Sequence, residues 1–311
     1  MAATSRVLRR RELRRRRADW GRISAFWFFI APLVLGLLLF KYVAIVWGLL
    51  LSFSRAQGSI SLGHWVGIQN YITIVQDPTF RSALLTNVLF LLFIVPSTYL
   101  ISLGLAVLVN GIKYGQGFFR AIFFIPLAVS YVTASMIWRV GIFPSVNFGF
   151  LNMILVALHQ SPVNWIYGAN PPWYWLVLVT VRLWLQVGFY MILFIAGLRD
   201  IPSEIIDAAR VDGARAWSTF RRVTMPLLRN TSIAVLLLLM ISAFQAFDEF
   251  YNILHGTAIA PLAQPVMLYL YNTALGQQDY GVGSAGAFIL TAIIVLFTLF
   301  QGRLFGWGGE D

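Results

Sequence analysis

At 311 residues the chain is 59% hydrophobic and only 11% charged, against about 25% charge in a soluble globular domain, so it is a polytopic membrane protein. It has no cysteine, which excludes disulfides, thiolate catalysis and cysteine-ligated metal. The net charge of +11 does not point to nucleic acid as a partner, because nine of the 23 basic residues crowd into the first 22 positions.

Residues 1–25 form a basic tail holding Arg6, Arg9, Arg10, Arg11, Arg14, Arg15, Arg16, Arg17 and Arg22. Such a cluster beside a span anchors to anionic membrane lipid and signals topology. The apolar run after it is too long for a signal peptide and lacks a small-residue cleavage site. It opens six predicted spans, 26–53, 82–109, 118–141, 173–198, 231–250 and 284–302, each near the about 20 residues a bilayer requires. An even count puts both termini on one side. That side receives the tail, Lys113, Arg120, Arg199, Arg210, Arg215, Arg221, Arg222, Arg229 and Arg303. The other receives Arg55 and Arg81, while the connections 142–172 and 251–283 hold no Lys or Arg. By the positive-inside rule both termini, and the tails 1–25 and 305–311, are expected to be cytoplasmic. The expected class is all-α, with a six-span body over 26–304.

Polar groups inside spans are costly and therefore mark sites or helix contacts. Lys41 falls in the long first span, whose outer turns would carry it towards the interface. Asn87 lies in the second span, and Arg139 ends the third, where it can snorkel. The outer connection that follows is rich in turns and aromatics: Asn147-Phe148-Gly149, Pro162 to Trp165, Ala169 to Pro172. Its Trp165, with Trp173 and Trp175, fits an interfacial belt. In the fourth span Arg182, roughly 14 Å deep at 1.5 Å per residue, is followed at i+4 by Gln186 and again by Tyr190. This inward polar stripe suits a hydroxyl-rich solute, with Trp184 and Tyr190 supplying rings, and suits interhelical hydrogen bonding equally well. Near the outer end of the fifth span stand Gln245, Asp248 and Glu249; the acidic pair could recognise solute, pair with Arg182 or sit in external water, and for Glu249 water is the expectation. His64, His159 and His255 are scattered without metal-ligand spacing, and no Walker-type phosphate loop occurs.

Between spans four and five lies a polar island, 199–230, with ten charged residues, which hydrocarbon cannot accommodate. Its first half reads as a helix opening near Pro202 with Glu204 in the first turn; Gly213 permits a sharp turn, and a second helical run extends over 214–223 before Pro226. An amphipathic pair resting on anionic headgroups would need only the arginines. The small face of Ala208, Ala209, Gly213 and Ala214 argues instead for close docking of a protein.

DAARVDGA at 207–214, followed by VTMP at 223–226, resembles the EAA loop of permease subunits in binding-protein-dependent ATP-binding-cassette (ABC) importers. Asp207 stands where Glu is usual, and Val223 with Met225 replace Ile and Leu, keeping charge and apolar volume. Asn87 in TNVLF, GFFRAIFFIP at 117–126, Ile137-Trp138-Arg139, GFLN at 149–152 and WLQVGFYMILFIAGLRDI at 184–201 resemble, in that order, carbohydrate importers of the maltose and glycerol-3-phosphate type.

The resemblance implies a non-enzymatic permease of a bacterial inner membrane that works with a second, homologous permease, an ABC ATPase dimer and an extracytoplasmic solute-binding protein. ATP and magnesium would be held by the ATPase, with no cofactor in this chain. Glu204, Asp207, Ala208, Ala209, Asp212, Gly213 and Pro226 would form the coupling surface; Asn87, Arg182, Gln186, Tyr190, Gln245 and Asp248 are the candidate solute path. The alternative is an ion-coupled sugar carrier acting alone, which would be expected to place carboxylates near the midplane and show an internal repeat. Every acidic residue here falls in a loop, a tail or a span end.

Overall fold

The computed structural model describes residues 26–146 and 149–304. The basic tail 1–25, the turn residues Asn147 and Phe148 and the tail 305–311 lie outside it. Among the described residues there is no strand, only two isolated bridges, Ser54 to Trp65 and Gln57 to Asp279. The all-α expectation holds.

Four helices are long and apolar enough to cross a membrane: α1 (Phe26–Ser52), α3 (Pro78–Gly111), α7 (Tyr174–Arg199) and α13 (Tyr280–Leu304). The short α2 (Gln69–Gln76) precedes α3. Two bent pairs raise the span count to six: α4 (Gln116–Ala128) with α5 (Tyr131–Ile142), and α9 (Ala216–Leu227) with α10 (Arg229–Phe244). Between these stand α6 (Phe150–Ala157) in one connection and α8 (Ser203–Val211) in the polar island. After α10 come α11 (Asp248–Leu254) and α12 (Val266–Tyr271).

The predicted span 118–141 is thus a broken one, bent by 91°. Pro126, which has no N–H, sits in a 3₁₀ turn, and Ser130 caps the new helix by accepting from the Thr133 N–H at 3.2 Å. The predicted span 231–250 is also interrupted. Helix α10 stops at Phe244, and Phe247 leaves helical geometry before α11 starts.

The core is α3 laid along α7, with Phe90, Ile94 and Leu103 buried with Val177, Val181, Leu185 and Phe194. Lipid is as apolar as these side chains, so close approach rather than water exclusion drives such packing, and small residues mark it. At Gly188 a Cβ would collide with the Phe123 backbone carbonyl; at Gly197 it would meet the Thr231 side chain. Helix α1 stands apart. None of its most apolar stretch is buried, only its Val43–Ser52 half packs on α13, and exposed Lys41 falls in a π-helical turn, Leu38–Tyr42.

Two residues read from the sequence as interfacial have partners within the fold. Trp165 is buried rather than exposed, donating to Asn152 Oδ1 at 2.9 Å. Asn152 also binds the Pro144, Val146 and Val163 backbone and so knits the connection after α5. Arg139, whose long side chain can snorkel, donates to the Asn252 carbonyl at 2.9 Å.

Candidate functional site

The break in α4/α5 and the end of α10 open a cavity of about 340 Å³ between α5, α7 and α10, closed on one side by the start of α11. Of the six residues predicted for the solute path, Arg182, Tyr190, Gln245 and Asp248 line it. Gln186 lies beside it, donating to Tyr131 Oη at 2.7 Å and to Ser242 Oγ at 3.0 Å. The stripe on α7 is therefore both wall and helix contact.

Asn87 is elsewhere. It is fully buried, donates to the Ala243 and Phe244 carbonyls at 3.2 and 3.4 Å, and accepts from the Val266 N–H at 2.7 Å. Those carbonyls end α10 and that N–H begins α12, groups a helix cannot satisfy internally. Asn87 caps two helix termini at once and does not line the cavity.

Glu249 is the largest departure. Expected in water, it has 0% exposure and accepts from Arg182 Nη1 at 2.5 Å. Arg182, itself 4% exposed, turns Nη2 to the Ser242 carbonyl and hydroxyl at 2.6 and 2.7 Å. Its guanidinium lies 5.7 Å from the Phe90 ring and 5.5 Å from that of Tyr131. Each charge also sits at the helix end that favours it, the arginine at the C-terminus of α10 and the glutamate in the first turn of α11.

At the other end of the bundle, α8 and α9 form an elbow between α7 and α10. Gly213 turns the chain at φ +79° with open space where a Cβ would stand. Glu204, Asp207, Ala208, Asp212 and Pro226 are exposed and Ala209 is half-buried. Asp207 accepts from Arg210 Nη1 at 3.0 Å, a pair too exposed to contribute more than about 1 kcal/mol. Ile205, Val211 and Trp217 project apolar surface outward, with Val211 88% exposed. Behind the elbow, Ile206, Ala214 and Phe220 face Val107 and Leu198 across a second cavity of about 420 Å³.

Sequence reasoning missed three residues. Tyr131 and Ser242 line the first cavity; the Ser130-x-x-Thr133 cap after Pro126 was a visible signal for the break that brings Tyr131 there. Gln116 joins the ends of three helices, donating to the Asn110 and Ile112 carbonyls and accepting from Arg120 and Arg199; no pattern marked it.

Residues 78–305 match the family described as binding-protein-dependent transport system inner membrane component. The chain is 28% identical over 280 residues to a probable starch degradation products transport system permease protein, AmyD, of Thermoanaerobacterium thermosulfurigenes, covering 89% of this chain and 92% of that one. It is 30% identical over 271 residues to the trehalose/maltose transport system permease protein MalF of Thermococcus litoralis, covering 87% and 90%. Among solved structures, it matches a chain of a bacterial ABC transporter involved in the import of the acidic polysaccharide alginate. The TM-score is 0.80 at 20% identity, over 93% of this chain and 98% of that one.

Proposed function

The chain belongs to the family of binding-protein-dependent transport system inner membrane components, and on that footing we propose that it is the permease through which a separate ATPase drives a sugar or sugar-like solute inward. It is a transport component, not an enzyme. The sugar class is supported by the names of its relatives, which handle starch degradation products and trehalose or maltose, and by a cavity walled with Tyr131, Tyr190, Ser242 and Gln245.

One observation carries the mechanism: both helices that flank the elbow, α7 and α10, also wall the cavity. In this proposal an ABC ATPase dimer, holding ATP and magnesium, grips the exposed face of α8 and α9 from the cytoplasm. Its closure moves the elbow as a rigid body, and α7 and α10 follow because the chain is continuous through Ile201 and Leu228. The cavity then opens alternately to a solute-binding protein outside and to the cytoplasm inside. A second permease supplies the opposing half of the path. Basic residues concentrated at the elbow end support a cytoplasmic elbow and termini.

A carrier working alone on an ion gradient finds no support. The buried acid among the described residues, Glu249, is held in an ion pair with Arg182. Reconstitution decides the matter. Uptake into liposomes should require the ATPase, the second permease and the loaded binding protein together; sugar movement by the purified chain on an ion gradient would overturn the proposal.

A further inference from the structure

Resting on the cavity as the solute path, a question of charge follows. An arginine in a transport cavity ordinarily suggests an anionic solute. Here Arg182 is already committed: Nη1 to Glu249, Nη2 to the Ser242 carbonyl and hydroxyl, with rings of Phe90 and Tyr131 beside the guanidinium. Arg182 and Glu249 cancel in charge, and both are buried. What is left on the wall is Asp248, partly exposed and without an ion-pair partner among the described residues.

We infer that this chain's half of the path selects by charge: Asp248 is a specificity-determining residue that disfavours carboxylated saccharides, and Glu249 is a positioning residue that keeps Arg182 from recruiting them. The cargo class is an uncharged or amino-bearing saccharide. Adjacent acids have opposite duties because α11 starts at Asp248, on the cavity wall, and successive helical positions point in different directions. Asp248 at its first position faces the opening, whereas Glu249, one residue on, turns into the protein towards α7.

The test uses the complex of this chain with its second permease and ATPase in lipid nanodiscs, without binding protein, whose own selectivity would mask the effect. Equilibrium dialysis compares maltotriose, which is neutral, with trigalacturonate, a trimer of similar size bearing carboxylates. Asp248→Asn should raise the affinity ratio of trigalacturonate to maltotriose about ten-fold, the order expected for one unit charge in a partly hydrated site. Gln245→Glu, which adds an acid to the same wall, should lower it. Glu249→Gln, by releasing Arg182, should raise it further than Asp248→Asn does, an effect that simple loss of packing would not produce. The exposed Gln245 and partly exposed Asp248 keep the test open should Glu249→Gln fail to fold. If maltotriose binds and the ratio stays constant in both Asp248→Asn and Gln245→Glu, the path stands and the charge rule falls. If neither trimer binds to any of the proteins, the cavity is not the path and both fall together.

Discussion

Arg182 of α7 and Glu249 of α11 meet at 2.5 Å with almost no access to solvent, and they tie together two elements that the end of α10 would otherwise leave apart. The pair is imperfectly satisfied: Arg182 Nε and Glu249 Oε2 have no hydrogen-bond partner among the described residues. Desolvation therefore offsets much of its attraction, and its loss matters chiefly through the charge left behind. Arg182→Met alone should destabilise the protein by about 3–5 kcal/mol, and Arg182→Met with Glu249→Leu should recover most of that. Thermal unfolding of the single and double variants in nanodiscs measures the coupling directly.

The glycines of α7 are ranked by what a methyl group would strike. At Gly188 it meets the Phe123 backbone carbonyl, next to the 3₁₀ turn that breaks the third span; at Gly197 it meets a side chain, Thr231, chiefly its hydroxyl and methyl, which a shift of one helix against the other can accommodate. Gly188→Ala should cost about 1–3 kcal/mol, and Gly197→Ala less. Melting temperatures of the two variants should keep this order, and Thr231→Ala should relieve Gly197→Ala while leaving Gly188→Ala unchanged.

The hydropathy pattern was enough for the membrane class and the apolar blocks because a span needs about 20 apolar residues whatever it packs against. The elbow was legible for a similar reason, since charge cannot stay in hydrocarbon and Gly213 alone suits φ +79°. What could not be read was direction. Hydropathy treats α10 and α11 as one block, so Asp248 and Glu249 looked like two acids at a span end; only the restart of the chain at Asp248 points one to the cavity and the other to Arg182. Asn87 shows the converse. An amide inside a span signals a need for hydrogen bonds, and whether solute or the free ends of α10 and α12 meet it depends on tertiary contacts over 150 residues apart in sequence.

Asp77 caps α3 through the Thr79 N–H at 2.7 Å and accepts from Tyr269 Oη at 2.6 Å. Burial alone would raise its carboxyl, but the hydrogen bonds from Tyr269 and Thr79 prevail and hold it below the usual carboxylate range. Burial first, and then the bond to Asp77, push Tyr269 up to about 12. A depressed carboxylate contributes stability that is present above its unfolded value, near 3.8, and is lost as pH falls through the folded one. A raised phenol contributes stability present below 10 and lost as pH climbs towards about 12. Tyr269→Phe should therefore lower stability throughout neutral pH by about 1 kcal/mol or less, because the partner Asp77 is partly exposed, and melting temperatures across pH read the loss. The gap should narrow below pH 4 and above pH 10; a gap independent of pH would show that the two groups do not share the proton.

The elbow allows fold and coupling to be separated, because its turn is strained only in the backbone. A Cβ at Gly213 meets nothing within 4 Å, so a side chain there projects into solvent, and asparagine or aspartate tolerates positive φ better than other residues. Gly213→Asp should thus leave the bundle inserted, at a cost confined to about 1 kcal/mol of backbone strain at positive φ and so a small drop in melting temperature. It should nevertheless place a branched anionic group on the face that carries Val211 and Trp217, both exposed apolar residues, of which Trp217 stacks on Phe220 one turn on. A docked ATPase would have to bury that charge unpaired, at a cost of several kcal/mol. Solute-stimulated ATP turnover and uptake should both fall at least ten-fold, and Trp217→Ala should weaken ATPase co-purification without the same electrostatic loss, because it removes apolar contact only. Raising the salt concentration should leave Trp217→Ala unchanged and partly restore Gly213→Asp by screening any carboxylate that remains hydrated. Full coupling in Gly213→Asp would mean that the stroke enters the bundle somewhere other than this turn.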